Sequence, residues 1–591
     1  MVMQRGIELP IWGKARAGSK VQVTLGRDKK TVVAGDAGGW MVHFSPREAS
    51  FDPIDLVVRC GSEELRIRDV LVGEVWLCAG QSNMEWTVDQ SLPASGEVDP
   101  ETLKNVRLLN LVGAARGSTG SYRAGDLKYL KPSLFARGQW EISSKTSIGR
   151  FSAVAWSFGM ELQKRLQVPV GLICPAIGGT PTESWVSRDA LATQPGLQGI
   201  VQGYWLDNPR LSGFCQIRAE QNLLPAIQAG EFIPSDELGP NHSFKPGFMW
   251  EATIEPMAPY AMRGVVWYQG ESNAESCERV LEQRKLLPLL IQSWREVWGQ
   301  GDFPFLLVQL PAMNRPDWPL FREVQRRVQQ TVPNVGMAVS MDVGDRSNVH
   351  PRNKEPVGRR LAGLALGETY SVQGESLYAG PMLLDVESQA DAMVLTFKHA
   401  GLGLQSSDGM PLRHFEIAGS DGRFMPATAR ISGKTRVHVK GKGVLEPQAV
   451  RYAWAAFPDS GVNFYNSVGV PASPFSTQSD EDVFASAELS PTGRAGADKR
   501  PNVLLIVSED NGPELGCYGD MNARTPNLDR LASEGVLFKN AYVTQSVCSS
   551  SRSTLFTGLY PHQNGQLGLA THQFAMYRKW PTTYSILKAA G

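Results

Sequence analysis

Short apolar stretches with alternating polar positions open the chain: Lys20-Val21-Gln22-Val23-Thr24-Leu25, Trp40-Met41-Val42-His43-Phe44 and Ile54-Asp55-Leu56-Val57-Val58, separated by Gly and Asp turns. A period of two sends every second side chain to one face, so residues 1–70 are predicted to form a small antiparallel β module of sandwich type. From residue 71 the pattern changes. Apolar runs at residues 70–77, 168–173, 264–268 and 305–310 alternate with longer amphipathic stretches, including 286–298 and 319–332. Strands alternating with helices predict an α/β domain with a parallel sheet over residues 71–370.

Residues 371–477 return to short alternating segments, such as 392–397 and 437–440, broken by Gly and Pro, which predicts a second β module. Residues 478–499 are polar and without periodicity, the pattern of an exposed linker. Pro501-Asn502-Val503-Leu504-Leu505-Ile506-Val507 then opens a buried-strand pattern that starts a further unit over 500–591. No internal repeat is visible.

At 591 residues the chain has room for several domains, about four at ~150 residues each. Lys+Arg and Asp+Glu are equal at 59 each, which leaves no net field to attract nucleic acid or an anionic membrane. No apolar run reaches the ~18 residues of a membrane span. The seven cysteines are widely scattered, against a disulfide framework or paired-cysteine zinc ligation. The first residues, Met1-Val2-Met3-Gln4-Arg5-Gly6, lack the apolar core of a secretory signal, so the chain as written is expected in the cytoplasm.

The candidate chemistry begins at Gly80-Gln81-Ser82-Asn83-Met84, which places a serine at the carboxyl end of the apolar run 70–77, where parallel sheets carry their catalytic groups. A serine hydroxyl needs a base within hydrogen-bond reach. His350, in Asn348-Val349-His350-Pro351, is the candidate. Met84 replaces the second glycine of a G-x-S-x-G elbow, which disfavours a standard α/β-hydrolase. Ester hydrolysis passes through a tetrahedral oxyanion that needs preset donors. The Ser82 N–H, an N–H of the Gly178-Gly179 pair and the Gln269 side-chain amide are assigned to it, with the choice between the two glycines open.

Long matching blocks carry a resemblance: Val72 to Glu85, Gly178-Gly179-Thr180-Pro181-Thr182-Glu183-Ser184-Trp185, Arg263 to Asn273 through Gln269-Gly270-Glu271, His350-Pro351-Arg352-Asn353-Lys354, and Asn466 to Phe475. Over residues 1–477 the chain resembles the SGNH hydrolases, and within them the sialate O-acetylesterase family. The resemblance implies an SGNH-type parallel-sheet hydrolase domain flanked by two small β-sandwich modules, a carbohydrate O-acetylesterase acting on acetylated sugars, and no cofactor for the esterase. It also implies an aspartate two or three residues before the histidine, where this chain has Ser347 and Asn348. Asp345 or Asp342 could reach in, a backbone carbonyl could hold the ring, or the site could run as a Ser-His dyad. Glu271 and Glu183 are read as scaffold. Family members are often secreted or periplasmic.

Residues 500–591 resemble the start of a sulfatase, closest to the sulfamidase branch, through Asn502 to Gly512, Thr525-Pro526-Asn527-Leu528-Asp529, Cys548-Ser549-Ser550-Ser551-Arg552 and His562-Gln563-Asn564-Gly565. The resemblance implies that Cys548 is the residue converted to formylglycine, that Arg552 is its neighbouring cation, and that Glu509 and Asp510 are the first calcium ligands. Calcium takes about six to eight oxygens, and the family's remaining ligands would lie beyond Gly591. An incomplete α/β fragment without sulfatase activity is therefore expected, with apolar faces uncovered and a gene model cut at both ends. Two rival readings remain: sulfatase or sulfamidase action through Cys548, or a non-catalytic glycan-binding protein.

Overall fold

A computed structural model describes residues 1–93, 100–115, 120–372, 378–488, 505–508, 512 and 514–589. The chain divides into two compact units, Met1–Ala495 and Gly496–Gly591.

The first unit is built on a central sheet whose strands, in chain order, are β1 (Glu63–Gly80), β2 (Val106–Asn110), β3 (Trp140–Ile142), β4 (Val170–Cys174), β5 (Gly264–Tyr268), β6 (Phe305–Val308) and β7 (Val335–Ala338). In space they run β3-β2-β4-β1-β5-β6-β7. All neighbours are parallel except the β3–β2 pair. Every residue of β4, β5, β6 and β7 is buried, because helices cover both faces of the sheet. Alternate residues divide between two cores: Val265 and Trp267 of β5 pack with Trp185 and Trp294 on one face, Val266 and Tyr268 with Phe158 and Leu361 on the other. The covering helices are α1 (Ala153–Leu166), α2 (Cys277–Trp298), α3 (Trp318–Thr331) and α4 (Glu355–Leu364). The runs predicted at 286–298 and 319–332 fall on α2 and α3.

The strand order reverses at β1: β2, β3 and β4 all lie on one side of it, and β5, β6 and β7 follow in turn on the other. The carboxyl end of β1 therefore opens on a crevice, the usual ligand position in such sheets.

β1 is longer than the predicted division at residues 70 and 71. Its first half pairs antiparallel with Ser50–Cys60, which pairs with Lys20–Leu25, and its second half runs into the central sheet. One strand thus serves both the small β module and the α/β domain, which alternation alone does not reveal. After α4 the chain forms a seven-stranded sheet from Met382–Gln389 to Phe475–Ser476, around a core that includes Phe397, Phe415, Tyr452 and Phe464. The buried Arg322 of α3 donates to the carbonyls of Ala455 and Ala456, tying this sheet to the α/β domain.

The span read as an exposed linker, 478–499, contains the helix Asp480–Glu488. Val483 and Phe484 are buried in the same core as α2, and the Arg284 and Arg327 guanidiniums lie over the Phe484 ring at 4.1 and 5.5 Å. Asp480 pairs with Arg327. Two apolar residues among acidic ones are too few to show a helical period, and that is why the segment reads as polar.

In the second unit the described residues form helices, Pro526–Glu534, Cys548–Thr557, Pro561–Asn564 and Thr583–Ala589, and no strand. The buried strand predicted at 501–507 is not formed by its described part: Leu505, Ile506 and Val507 are exposed. A parallel strand needs neighbours to take its backbone hydrogen bonds. Met521, Tyr542 and Val536 are likewise exposed, as an uncovered apolar face requires. Among the described residues no helix is long and apolar enough to cross a membrane.

Candidate active site

β1 ends at Gly80, whose backbone lies so close to β5 that a Cβ would meet the Tyr268 carbonyl oxygen at 2.1 Å. Its φ of +141° adds a second reason for glycine there. The chain then turns into the short helix Ser82–Glu85. Gln81 Oε1 accepts from the Gly270 and Ser272 N–H groups at 3.3 and 3.4 Å, fastening this turn to the loop after β5.

Ser82 lines a cavity of about 470 Å³ together with Gly178, Gly179 and His350. Those residues arrive from the end of β1, the loop after β4 and the loop after β7, all at the carboxyl edge of the sheet. Glu85, Glu271, Phe244 and Arg315 complete much of the wall.

The His350 ring stacks on Trp86, with centroids 4.6 Å apart and planes 20° from parallel. Burial, helped by the nearby Lys354 charge, lowers the imidazole pKa to about 4. The ring is therefore neutral, and able to accept a proton, at neutral pH. Trp86 was not identified from the sequence, although it follows the serine block directly.

Asp345 does not orient this ring. Its Oδ1 accepts from the Ser347 and Asn348 N–H groups, each at 2.9 Å, closing a turn within an exposed loop. Those bonds hold the carboxylate below its usual pKa. Asp342 pairs with Arg360, and the backbone N–H of His350 donates to Asn348 Oδ1 at 2.9 Å. Short-range bonds to its own loop, which aspartates commonly make, have taken the carboxylate that the spacing offered to the histidine.

Of the three expected oxyanion donors, Gln269 is elsewhere. It is buried, its Nε2 donates to Asn273 Oδ1 at 2.6 Å and to the Thr180 carbonyl at 3.3 Å, and its Oε1 accepts from Thr182 Oγ1 at 2.7 Å. These bonds stitch the loop after β5 to the loop after β4. The two glycines also differ. The Gly178 N–H donates to Glu85 Oε2 at 2.8 Å, whereas among the described residues neither the Gly179 nor the Ser82 N–H has a hydrogen-bond partner. Gly179 has a φ of +79°, and a Cβ there would strike the Phe244 ring at 2.7 Å. Glu183 is scaffold, paired with Arg279 at 2.5 Å in the interior.

In the second unit Cys548 is half-buried at the start of its helix, with Arg552 on the same helix. Glu509 and Asp510 lie outside the described residues. Among the described residues no group of three or more His, Cys, Asp or Glu side chains could hold a metal ion.

Residues 242–366, which contain Gln269, Glu271 and His350, match the family model described as carbohydrate esterase, sialic acid-specific acetylesterase. Over 528 residues the chain is 30% identical to the sialate O-acetylesterase of Rattus norvegicus, covering 79% of this chain and 90% of that protein.

The chain belongs to the sialate O-acetylesterase family.

The chain is similar in fold to a solved carbohydrate acetylesterase from Xanthomonas citri at 29% identity, with a TM-score of 0.63 over 81% of this chain and 97% of the other. To this sialate O-acetylesterase framework is joined a second match: residues 501–591 fit the sulfatase family model. They include a stretch of 74 residues 49% identical to the N-acetylgalactosamine-6-sulfatase of Homo sapiens. That stretch is 12% of this chain and covers 14% of the sulfatase. Within the esterase framework, Ser347 and Asn348 remain the departure, and no carboxylate is bonded to the His350 ring among the described residues.

Proposed function

We propose that this chain is a serine-dependent carboxylic ester hydrolase that removes acetyl groups from sugars, with an SGNH-type domain lying between two small β modules. Ser82 Oγ attacks the acetyl carbonyl while His350 takes its proton. The oxyanion receives the backbone N–H groups of Ser82 and Gly179, two donors at the cavity that have no hydrogen-bond partner among the described residues. Gly178 serves differently: its bond to Glu85 holds the peptide that presents Gly179. The tetrahedral intermediate collapses, the sugar hydroxyl leaves with the proton from His350, and a water deprotonated by His350 frees acetate from Ser82. General-base help of this kind is worth ~10²–10⁴ in rate and each oxyanion donor ~10²–10³.

The site works as a Ser-His pair in which stacking on Trp86 fixes the plane of the imidazole, the job a carboxylate does in a triad. No metal enters these steps. The observation that carries the reading is the convergence of Ser82, His350 and the backbone N–H groups of Ser82 and Gly179, unpartnered among the described residues, on one cavity. The test is acetate release from O-acetylated sugars by Ser82→Ala. A loss of about 10³-fold or more is expected, and turnover near that of the wild type would refute the assignment. Sugar binding with no acetate release by the wild-type chain would favour the non-catalytic reading instead.

A further inference from the structure

Beneath the cavity a buried carboxamide joins the two loops that carry the proposed nucleophile and base. Asn83, next to Ser82, is fully buried, and its Nδ2 donates to the Val349 carbonyl at 2.9 Å and to Glu271 Oε1. Val349 in turn precedes His350. On the opposite side Lys354 Nζ, on a residue only 2% exposed, donates to Asn83 Oδ1.

A carboxamide has almost the same shape either way round, so its partners decide which end is oxygen. As an ammonium Lys354 offers donors only, and as a neutral amine it still donates, so it sets the oxygen on its own side. Nδ2 must then face Val349 and Glu271, where Glu271 Oε1 can accept in either protonation state. Without Lys354 the buried Oδ1 loses its donor, and the amide is held only from the Val349 and Glu271 side.

Both flanking groups are costly to keep. Burial brings the Lys354 pKa down to about 7 and raises that of Glu271, whose Oε2 is buried with no hydrogen-bond partner among the described residues. Apolar side chains of similar volume would serve stability as well or better. A wholly structural account leaves that cost unexplained.

We propose that Lys354 and Glu271 lock the Asn83 amide into a clamp that positions the His350 loop against the Ser82 turn. The proposal rests on the Ser-His reading, and its test is separate from the test of that reading. Lys354→Met keeps the length of the side chain and removes its donors. Against 4-nitrophenyl acetate, its kcat is expected to fall between about 10-fold and 10²-fold with KM within about twofold, since a small misplacement of a base acts on the chemical step alone. An unchanged kcat, or a loss shared equally with KM, overturns the proposal. If Lys354→Met does not fold, Asn83→Asp, which keeps the shape and loses both Nδ2 donors, is expected to show the same kcat-only loss, and an unchanged kcat in that variant overturns it equally. The Ser-His reading is judged separately, by the activity of Ser82→Ala.

Discussion

The least ordinary residue at the site is His350, because burial holds its imidazole near pKa 4 with no carboxylate beside it, among the described residues, to raise it again. A base with a lowered pKa stays in its neutral, working form as the pH falls through the usual histidine range, and is lost only near its own pKa. The acid limb of kcat/KM is therefore expected near pH 4, and a limb near the unperturbed value of ~6.5 would show an imidazole in open water or beside a carboxylate. A pH series on the acetate-release rate checks this. At this scale the sequence was informative where a residue sits in a block of several specific neighbours. Ser82, the glycine pair and His350 all converge. It failed for Asp345 and Gln269, which have the right chemistry at plausible spacing but spend their hydrogen-bonding capacity elsewhere, on the backbone of one loop and on Thr180 and Asn273. Spacing shows which groups are near in the chain; it does not show which partner takes their lone pairs.

Among elements, the strands were the most legible. Strands buried on both faces read as continuous apolar runs, and those at 264–268 and 305–310 match β5 and β6, the second running two residues past the strand. Amphipathic helices such as α3, which buries Phe321 and Val324 against the sheet, read equally well from their period. Junctions were not legible. β1 runs through the predicted boundary at residue 70 because its two halves pair with different partners, and pairing is a tertiary fact. The helix Asp480–Glu488 is held by Val483, Phe484 and arginines of α2 and α3, so its stability comes from packing that its own composition does not announce.

For the whole molecule, the two units differ in how far their apolar side chains are covered. Met1–Ala495 contains all the proposed esterase residues, and its sheets are enclosed by their own cores. The second unit carries exposed large apolar residues, with Met521 95% and Tyr542 89% exposed, and covers a small part of the sulfatase it resembles. Exposed apolar surface of this kind drives association. A chain ended after Ala495 is therefore expected to keep the esterase kcat of the full chain and to self-associate less, as read by activity and light scattering on the same samples. Loss of activity on that truncation would mean that the second unit contributes to the esterase.

The central claim is that a serine and a histidine brought together from opposite ends of the α/β domain act as nucleophile and base. Mass spectrometry after treatment with a fluorophosphonate, which labels an activated serine, tests it most directly. The expected result is a single adduct on Ser82 that forms at least ~10²-fold more slowly in His350→Ala. An adduct on a different residue, or equal labelling of Ser82 with and without the imidazole, would contradict it.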